Sequence, residues 1–137
     1  MPDLDLRGLC PLLQVFDMPT SVRFYGEHLG FQVKQHSPMV EAPEPYFHWC
    51  LLERDGMQLM LNTAYDTGER PDAPDAQRVR WHDDTCLYFG CPDVDQAYER
   101  LKAQGLTLNP PKTAGYGMRQ LNLTDPDGYQ ICLQWPA

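Results

Sequence analysis

The sequence predicts an α+β fold made of two βαβββ modules that follow each other along the chain. The order strand, helix, strand, strand, strand can be traced twice in the 137 residues. Cys10 lies seven residues before Asp17, and Cys86 lies seven residues before Asp93, with each aspartate at the start of a helical pattern. A repeat of about 75 residues is too long for a solenoid unit. It therefore predicts a duplicated module with a pseudo-twofold axis.

Module one, predicted over residues 9–62, begins with a strand and a helix. Residues 10–16, CPLLQVF, are typical of a strand. Thr20 or Ser21 can cap the helix that follows, and Gly30 ends it. Apolar residues recur between these limits at helical spacing: Val22, Tyr25 and Leu29.

Three further strands complete module one. Residues 31–35 form a strand, and the three prolines in residues 37–45 indicate a loop. Two apolar runs within residues 46–62 are joined by Arg54-Asp55-Gly56, which predicts a β-hairpin.

Residues 63–84 are polar, contain two prolines and have no clear period, so they are expected to link the modules within a single domain of residues 1–137. Module two covers residues 85–135. It is predicted to contain a strand at 85–91, a helix capped by Asp93 or Asp95 and ended by Gly105, and a short strand at 106–110. Its hairpin turns at residues 125–128, DPDG.

The two hairpins alternate between apolar and mixed side chains, so each predicts one core face and one other face. Gly56 and Gly128 precede matching strands, which makes Met60 and Cys132 equivalent positions. The predicted core residues are Met57, Leu59, Leu61, Leu121, Leu123, Tyr129, Ile131 and Leu133, and those of module two should pack on the helix of residues 95–104. Cross-strand pairing places Phe47, Trp49 and Leu51 on the side of Met60.

The second face combines large aromatic side chains with amides, which is typical of a groove for a small molecule. The alternative is that it packs the modules or two subunits against each other. Tyr116 lies in a glycine-flanked loop that is either a closing loop or an ordinary exposed one. The candidate ligand-binding residues are Phe47, Trp49, Gln58, Met60, Asn62, Tyr88, Tyr116, Met118, Gln120, Asn122, Gln130 and Cys132.

Charge and composition exclude several classes of partner. A net charge of −8 disfavours nucleic acid and favours cationic small molecules. No apolar run approaches the ~20 residues of a membrane span, and the acidic N-terminus does not resemble a signal peptide. We therefore expect a cytoplasmic protein whose five cysteines, none of them in a CxxC motif, are free thiols.

Three segments carry a resemblance to a known family: DMPTSVRFYGEHLGF, DVDQAYERLKAQG and TDPDGYQICLQW. In a duplicated βαβββ arrangement they resemble the vicinal oxygen chelate superfamily, which includes glyoxalases, extradiol dioxygenases and bleomycin resistance proteins. The resemblance covers residues 9–135. It implies a glyoxalase-like fold of curled mixed sheets around a concave pocket, and a homodimer.

Enzymes of that superfamily hold a divalent metal with His, Glu or Gln side chains. The resemblance places the corresponding positions of this chain at Cys10, Met60, Cys86 and Cys132. Sulfur at these positions does not suit oxygen-chelating metals, so no cofactor is predicted and these residues are expected to line the cavity. A soft metal such as Zn or Cu(I) is the alternative.

The pattern is closest to the bleomycin resistance branch, which binds a drug without metal. The predicted function is therefore metal-independent binding of a small planar or cationic molecule, with Phe47, Trp49 and Tyr88 stacking on its rings. The alternative is a metal-dependent glyoxalase-like lyase or dioxygenase, which needs a Lewis acid and a base.

Overall fold

Two four-stranded mixed sheets, each with a helix, form the protein. The computed structural model describes residues 4–41 and 46–137. The chain divides into two units between Arg70 and Pro71. This architecture confirms the predicted α+β fold of two βαβββ modules.

The first unit contains a sheet with strand order β1-β4-β3-β2, in which β1 pairs parallel to β4 and the other pairs are antiparallel. Its elements are β1 (Leu12–Val15), α1 (Met18–Leu29), β2 (Gln32–His36), β3 (Trp49–Arg54) and β4 (Met57–Thr63). The last four residues of the predicted loop 37–45 lie outside the described residues.

The second unit repeats this order as β5-β8-β7-β6, again with one parallel pair, β5 and β8. Its elements are α2 (Ala76–Trp81), a 3-10 turn (His82–Asp84), β5 (Cys86–Gly90), α3 (Val94–Ala103), β6 (Lys112–Thr113), β7 (Met118–Thr124) and β8 (Gln130–Pro136).

Helices α1 and α3 each begin at an aspartate that follows the first strand of the module. Asp17 accepts a hydrogen bond from the backbone N–H of Thr20 at 3.2 Å, and Asp93 accepts one from Gln96 at 3.0 Å. The prediction that Thr20 or Ser21 caps α1 is wrong, because Asp17 is the cap and the helix starts at Met18. Of the two alternatives for α3, Asp93 is the cap.

The first hairpin turns as predicted at residues 54–56. Asp55 (φ 48°) and Gly56 (φ 83°) both have left-handed backbone angles, as a two-residue turn of the type I′ family requires. The resulting register pairs Leu51 with Met60 and Trp49 with Asn62. Pairing therefore puts these four side chains on one side of the sheet, as the alternation predicts.

Each sheet buries the predicted apolar face beneath its helix. In the first unit, α1 packs against β4 and β2, and in the second, α3 packs against β7 and β8. The side chains buried on these faces include Leu13, Val15, Leu52, Leu59, Leu61, Leu121, Leu123, Ile131 and Leu133. Of the predicted core residues, only Met57 remains exposed, at the hairpin turn.

Two parts of the second unit differ from the prediction. Residues 106–110 do not form a strand, and the short strand β6 lies at Lys112–Thr113 instead. Pro110 and Pro111 have no backbone N–H, so the pairing with β7 begins only after them. Residues 76–81, which lie in the predicted linker 63–84, form helix α2, capped by Asp75.

Helix α2 and the 3-10 turn pack against the turn that precedes β8. The His82 ring stacks on Tyr129 with ring centroids 4.0 Å apart, and His82 Nδ1 lies 2.7 Å from the carbonyl oxygen of Asp127. Val79 lies close to Gly128. A Cβ atom added to Gly128 would lie 2.3 Å from the carbonyl oxygen of Val79. These contacts explain how a polar, irregular sequence becomes ordered.

No helix in the described parts of the chain combines the length and apolarity that a membrane crossing requires. All five cysteines carry free thiols, as predicted.

Candidate functional site

The side of the second sheet that faces away from α3 carries a row of polar and aromatic side chains. We call it the amide face and define it by Cys86, Tyr88, Met118, Gln120, Asn122, Gln130, Cys132 and Gln134. The register joins these residues across three strands: Tyr88 lies beside Cys132, Cys132 beside Asn122, and Gln134 beside Gln120. The alternation in the sequence therefore predicts this face correctly.

A hydrogen-bonded network with Gln120 at its centre lies on the amide face. Gln120 Nε2 donates to the Tyr116 hydroxyl at 2.7 Å and to Gln134 Oε1 at 2.9 Å. Tyr116 lies in the tight turn between β6 and β7, in which Gly117 N–H donates to the carbonyl of Ala114 at 2.9 Å. Its side chain is 72% exposed, so the ring stands in solvent while its hydroxyl is fixed to the sheet.

The other amides of this face differ in what they can offer a ligand. Gln130 bonds within the protein at both ends of its amide: it donates to the carbonyl of Gly128 at 3.1 Å and accepts from Thr124 at 3.3 Å. It therefore holds the end of the sheet. Asn122 is exposed, and Met118 is half-buried.

Tyr88 stands above two thiols at the parallel pair of strands. Its side chain is 59% exposed, whereas Cys132, beside it on β8, is only 1% exposed. The thiols of Cys86 and then Cys132 raise the pKa of the Tyr88 hydroxyl above its ordinary value. Burial, and then the neighbouring Cys86, raise the pKa of Cys132.

The corresponding side of the first sheet is more apolar. We call it the aromatic face and define it by Trp49, Leu51, Gln58, Met60 and Asn62. Gln58 is exposed, and the other four are half-buried. Asn62 Nδ2 donates to the carbonyl of Thr63 at 3.3 Å, and Gln58 Nε2 donates to Glu53 at 3.4 Å.

Phe47 does not belong to the aromatic face. The prediction that it continues the alternation of β3 is wrong, because that strand begins at Trp49. Its ring stacks instead on His36, with centroids 4.7 Å apart and an interplanar angle of 20°.

Two residues that the list of candidates omits also shape the faces. The Ser37 hydroxyl accepts from the backbone N–H groups of His48 and Trp49, each at 3.1 Å, and so positions the start of β3. Gln134 alternates in step with the other residues of the amide face, so its position in the strand could have identified it from the sequence. Ser37 gave no signal, because its contacts come from residues 11 and 12 positions away.

The residues that the resemblance places at metal positions, Cys10, Met60, Cys86 and Cys132, do not fit an oxygen-chelating divalent ion. Cys10 is half-buried and precedes β1, and Met60 has only a thioether to offer. Burial raises the pKa of the Cys86 thiol, as it does for Cys132, and a thiol must lose its proton to bind a metal. In residues 4–41 and 46–137, no three His, Cys, Asp or Glu side chains are grouped as metal ligands.

We expect the thiols to differ sharply in reactivity. Burial raises the pKa of Cys50 to about 11, and alkylation requires the thiolate. With iodoacetamide at pH 8, Cys50 and Cys132 should react at least about tenfold more slowly than the exposed Cys86. Peptide mass spectrometry of the folded protein measures these rates. Unfolding in urea should bring all five thiols to similar rates, and equal rates in the folded protein would contradict the assigned burial.

Comparisons with known proteins agree with this fold. Residues 10–133 match the model of the glyoxalase/bleomycin resistance protein/dioxygenase superfamily. The uncharacterized protein YurT of Bacillus subtilis (strain 168) is 31% identical over 104 residues, which cover 72% of this chain and 75% of YurT.

Solved structures with low sequence identity share the fold. The antibiotic binding protein TnmS3 from Streptomyces sp. CB03234 is 22% identical, with a TM-score of 0.68 over 98% of this chain and all (100%) of TnmS3. A bleomycin-binding protein solved with bleomycin is 20% identical, with a TM-score of 0.65 over 96% of this chain and 100% of its own. Together with the two repeated sheets, the match over residues 10–133 shows that this chain belongs to the glyoxalase/bleomycin resistance protein/dioxygenase superfamily.

Proposed function

We propose that this protein binds a small planar or cationic molecule without a metal, in the manner of an antibiotic-sequestering protein. The observation that carries the proposal is the amide face. There, Tyr88 and Tyr116, 59% and 72% exposed, stand beside a preformed amide network. Exposed aromatic rings near a few convergent polar groups are the usual means of holding a flat ligand.

The aromatic face supports the same function from the other unit. Trp49, Leu51 and Met60 form a half-buried apolar surface, and Ser37 holds the backbone from which Trp49 projects. A rigid indole ring loses little conformational entropy when it stacks on a ligand. The net charge of −8 would also draw cations towards the protein.

The chemistry of the two faces favours binding over catalysis. The residues that define them are amides, thiols, two thioethers, a phenol, an indole and a leucine. A carboxylate on the same side of the first sheet, Glu53, lies opposite Gln58 at the turn end of the hairpin and accepts from its amide at 3.4 Å. The raised pKa values of Tyr88 and Cys132 also make these groups poor bases and nucleophiles at neutral pH. Two fold relatives are a bleomycin-binding protein and an antibiotic binding protein, which supports the same class of ligand.

The test is a titration of protein treated with EDTA against bleomycin and a panel of flat cationic dyes. Binding should quench tryptophan fluorescence and raise the midpoint of thermal unfolding. A ligand at about 100 times its dissociation constant adds about 2.7 kcal/mol to the free energy of unfolding. Metal-dependent turnover of hemithioacetals or catechols, with no stabilisation by the panel, would instead establish the lyase or dioxygenase alternative.

We expect Tyr88→Ala to weaken the binding of a stabilising ligand by about tenfold. One stacking or cation–π contact contributes about 1–2 kcal/mol, and 1.4 kcal/mol is tenfold in affinity. Trp81→Ala is the control, since Trp81 is 65% exposed on α2 and belongs to neither face. An equal loss of affinity in the control would show that the amide face is not the site.

A further inference from the structure

Gln120 determines which hydrogen-bonding groups its two neighbours present to a ligand. A single atom of its amide, Nε2, makes both contacts, to Tyr116 at 2.7 Å and to Gln134 at 2.9 Å. An amide nitrogen only donates, and an amide oxygen only accepts. If the amide nitrogen of Gln120 faces Tyr116 and Gln134, both neighbours accept a hydrogen bond from it. If the amide oxygen faces them, both neighbours donate to it.

The arrangement in the structure leaves two donors available to a ligand. The Tyr116 oxygen accepts from Gln120, so its own O–H hydrogen points elsewhere. Gln134 uses its oxygen for Gln120, so its NH₂ group is the part left for a ligand. The turn that carries Tyr116 is closed by backbone hydrogen bonds, from Ala114 N–H to the Met118 carbonyl at 2.8 Å and from Gly117 N–H to the Ala114 carbonyl at 2.9 Å. The two donors are therefore positioned before a ligand arrives.

The charge beside this network favours the same kind of ligand. Lys112 lies directly opposite Gln120 in the register of β6 and β7, so it projects from the same side of the sheet. None of the eight residues that define the amide face carries a carboxylate. The local charge next to Gln120 is thus positive, although the whole chain carries −8.

We propose that Gln120 is a specificity-determining residue, which makes the amide face select a planar ligand with oxygen acceptors over one with N–H donors. This inference rests on the proposed function and narrows it to one class. The ligand is a flat aromatic molecule with two carbonyl or similar oxygens, one accepting from Tyr116 and one from Gln134. The overall charge then governs the approach of ligands, whereas Gln120 governs their hydrogen bonding.

The test compares two three-ring probes, anthraquinone-2-sulfonate with two carbonyl acceptors and proflavine with two amino donors. The wild-type protein should bind the anthraquinone about tenfold more tightly or better. In Gln120→Glu, the carboxylate accepts from both neighbours, which turns the outward atoms of Tyr116 and Gln134 into acceptors. Calorimetric titration should then show a preference for proflavine, with the ratio of the two affinities changed by about 100-fold.

Asn109→Asp separates this effect from charge alone. Asn109 is exposed in the loop before β6 and belongs to neither face, and the substitution adds the same negative charge without touching the Gln120 network. It should change the ratio by no more than about threefold. Tyr116→Phe should weaken the anthraquinone alone, and thermal unfolding confirms that each variant is folded.

The outcomes are distinct. Equal changes in the ratio for Gln120→Glu and Asn109→Asp would overturn the role of Gln120. A wild-type protein that prefers proflavine would also overturn the role of Gln120, but it would still support the proposed binding of planar ligands. A wild-type protein that binds neither probe would count against the proposed function, and this inference would fall with it.

Discussion

Replacing Gly128 with alanine should lower the free energy of unfolding by about 3–5 kcal/mol. Gly128 has a φ of +91°, a left-handed angle that costs a residue with a side chain about 1–2 kcal/mol. The added Cβ would also lie 2.3 Å from the carbonyl oxygen of Val79 and 2.9 Å from its Cγ1. Either helix α2 or the turn before β8 must then move. Denaturation in urea, followed by circular dichroism, measures the loss.

Gly117→Ala is the matched control for this prediction. Gly117 has the same φ of +91°, but a Cβ atom there would meet nothing within 4 Å. Gly117→Ala should therefore lower the free energy of unfolding only by the about 1–2 kcal/mol that the left-handed backbone angle costs. If the two variants lose the same stability, α2 does not pack against Gly128 in solution, and the account of residues 76–84 is wrong.

Asp125→Ala should lower the free energy of unfolding by about 2–4 kcal/mol, because two buried donors lose their acceptor. One oxygen of Asp125 accepts from the backbone N–H groups of Asp127 at 2.8 Å and of Tyr129 at 3.0 Å. Asp125 is 4% exposed and Asp127 5% exposed, so water does not readily replace the carboxylate. The same urea denaturation measures the change.

Asp125→Asn tests the cause of that loss. Its side-chain oxygen can still accept from both backbone groups, so it should retain most of the stability, with a loss below about 1.5 kcal/mol. An equal loss in the asparagine and alanine variants would mean that the charge of Asp125, and not its acceptor geometry, stabilises the turn.

Both turn variants also bear on the proposed binding site, since the turn sets where β8 begins. That strand carries Cys132 and Gln134 into the amide face, and its register places Gln134 opposite Gln120. A turn that relaxes would shift this register. Variants that still fold should therefore bind a planar ligand less tightly.

Much of the fold could be predicted from local patterns. The alternation in β7 and β8 identifies the amide face, because neighbouring side chains of a strand point to opposite sides. The equal spacing from Cys10 to Asp17 and from Cys86 to Asp93 identifies the repeat, and both aspartates cap helices. These features depend on backbone geometry over a few residues, which the sequence encodes directly.

The predictions that failed involve competition between neighbouring groups. Asp17 caps α1 in place of Thr20 or Ser21, because its carboxylate accepts from both the backbone and the hydroxyl of Thr20. Phe47 leaves the line of β3 to stack on His36, eleven residues earlier in the chain. Val79 and His82 of residues 76–84 contact Asp127, Gly128 and Tyr129, which lie more than 40 residues later in the chain.

By itself, the sequence determined the two modules and the faces of their sheets, since each follows from residue type and spacing. Only the tertiary structure decided that Gln120 joins Tyr116 to Gln134, and that α2 covers the turn before β8. Hydrogen-bond partners and packing contacts depend on distances between residues far apart in the chain, and no local pattern encodes those distances.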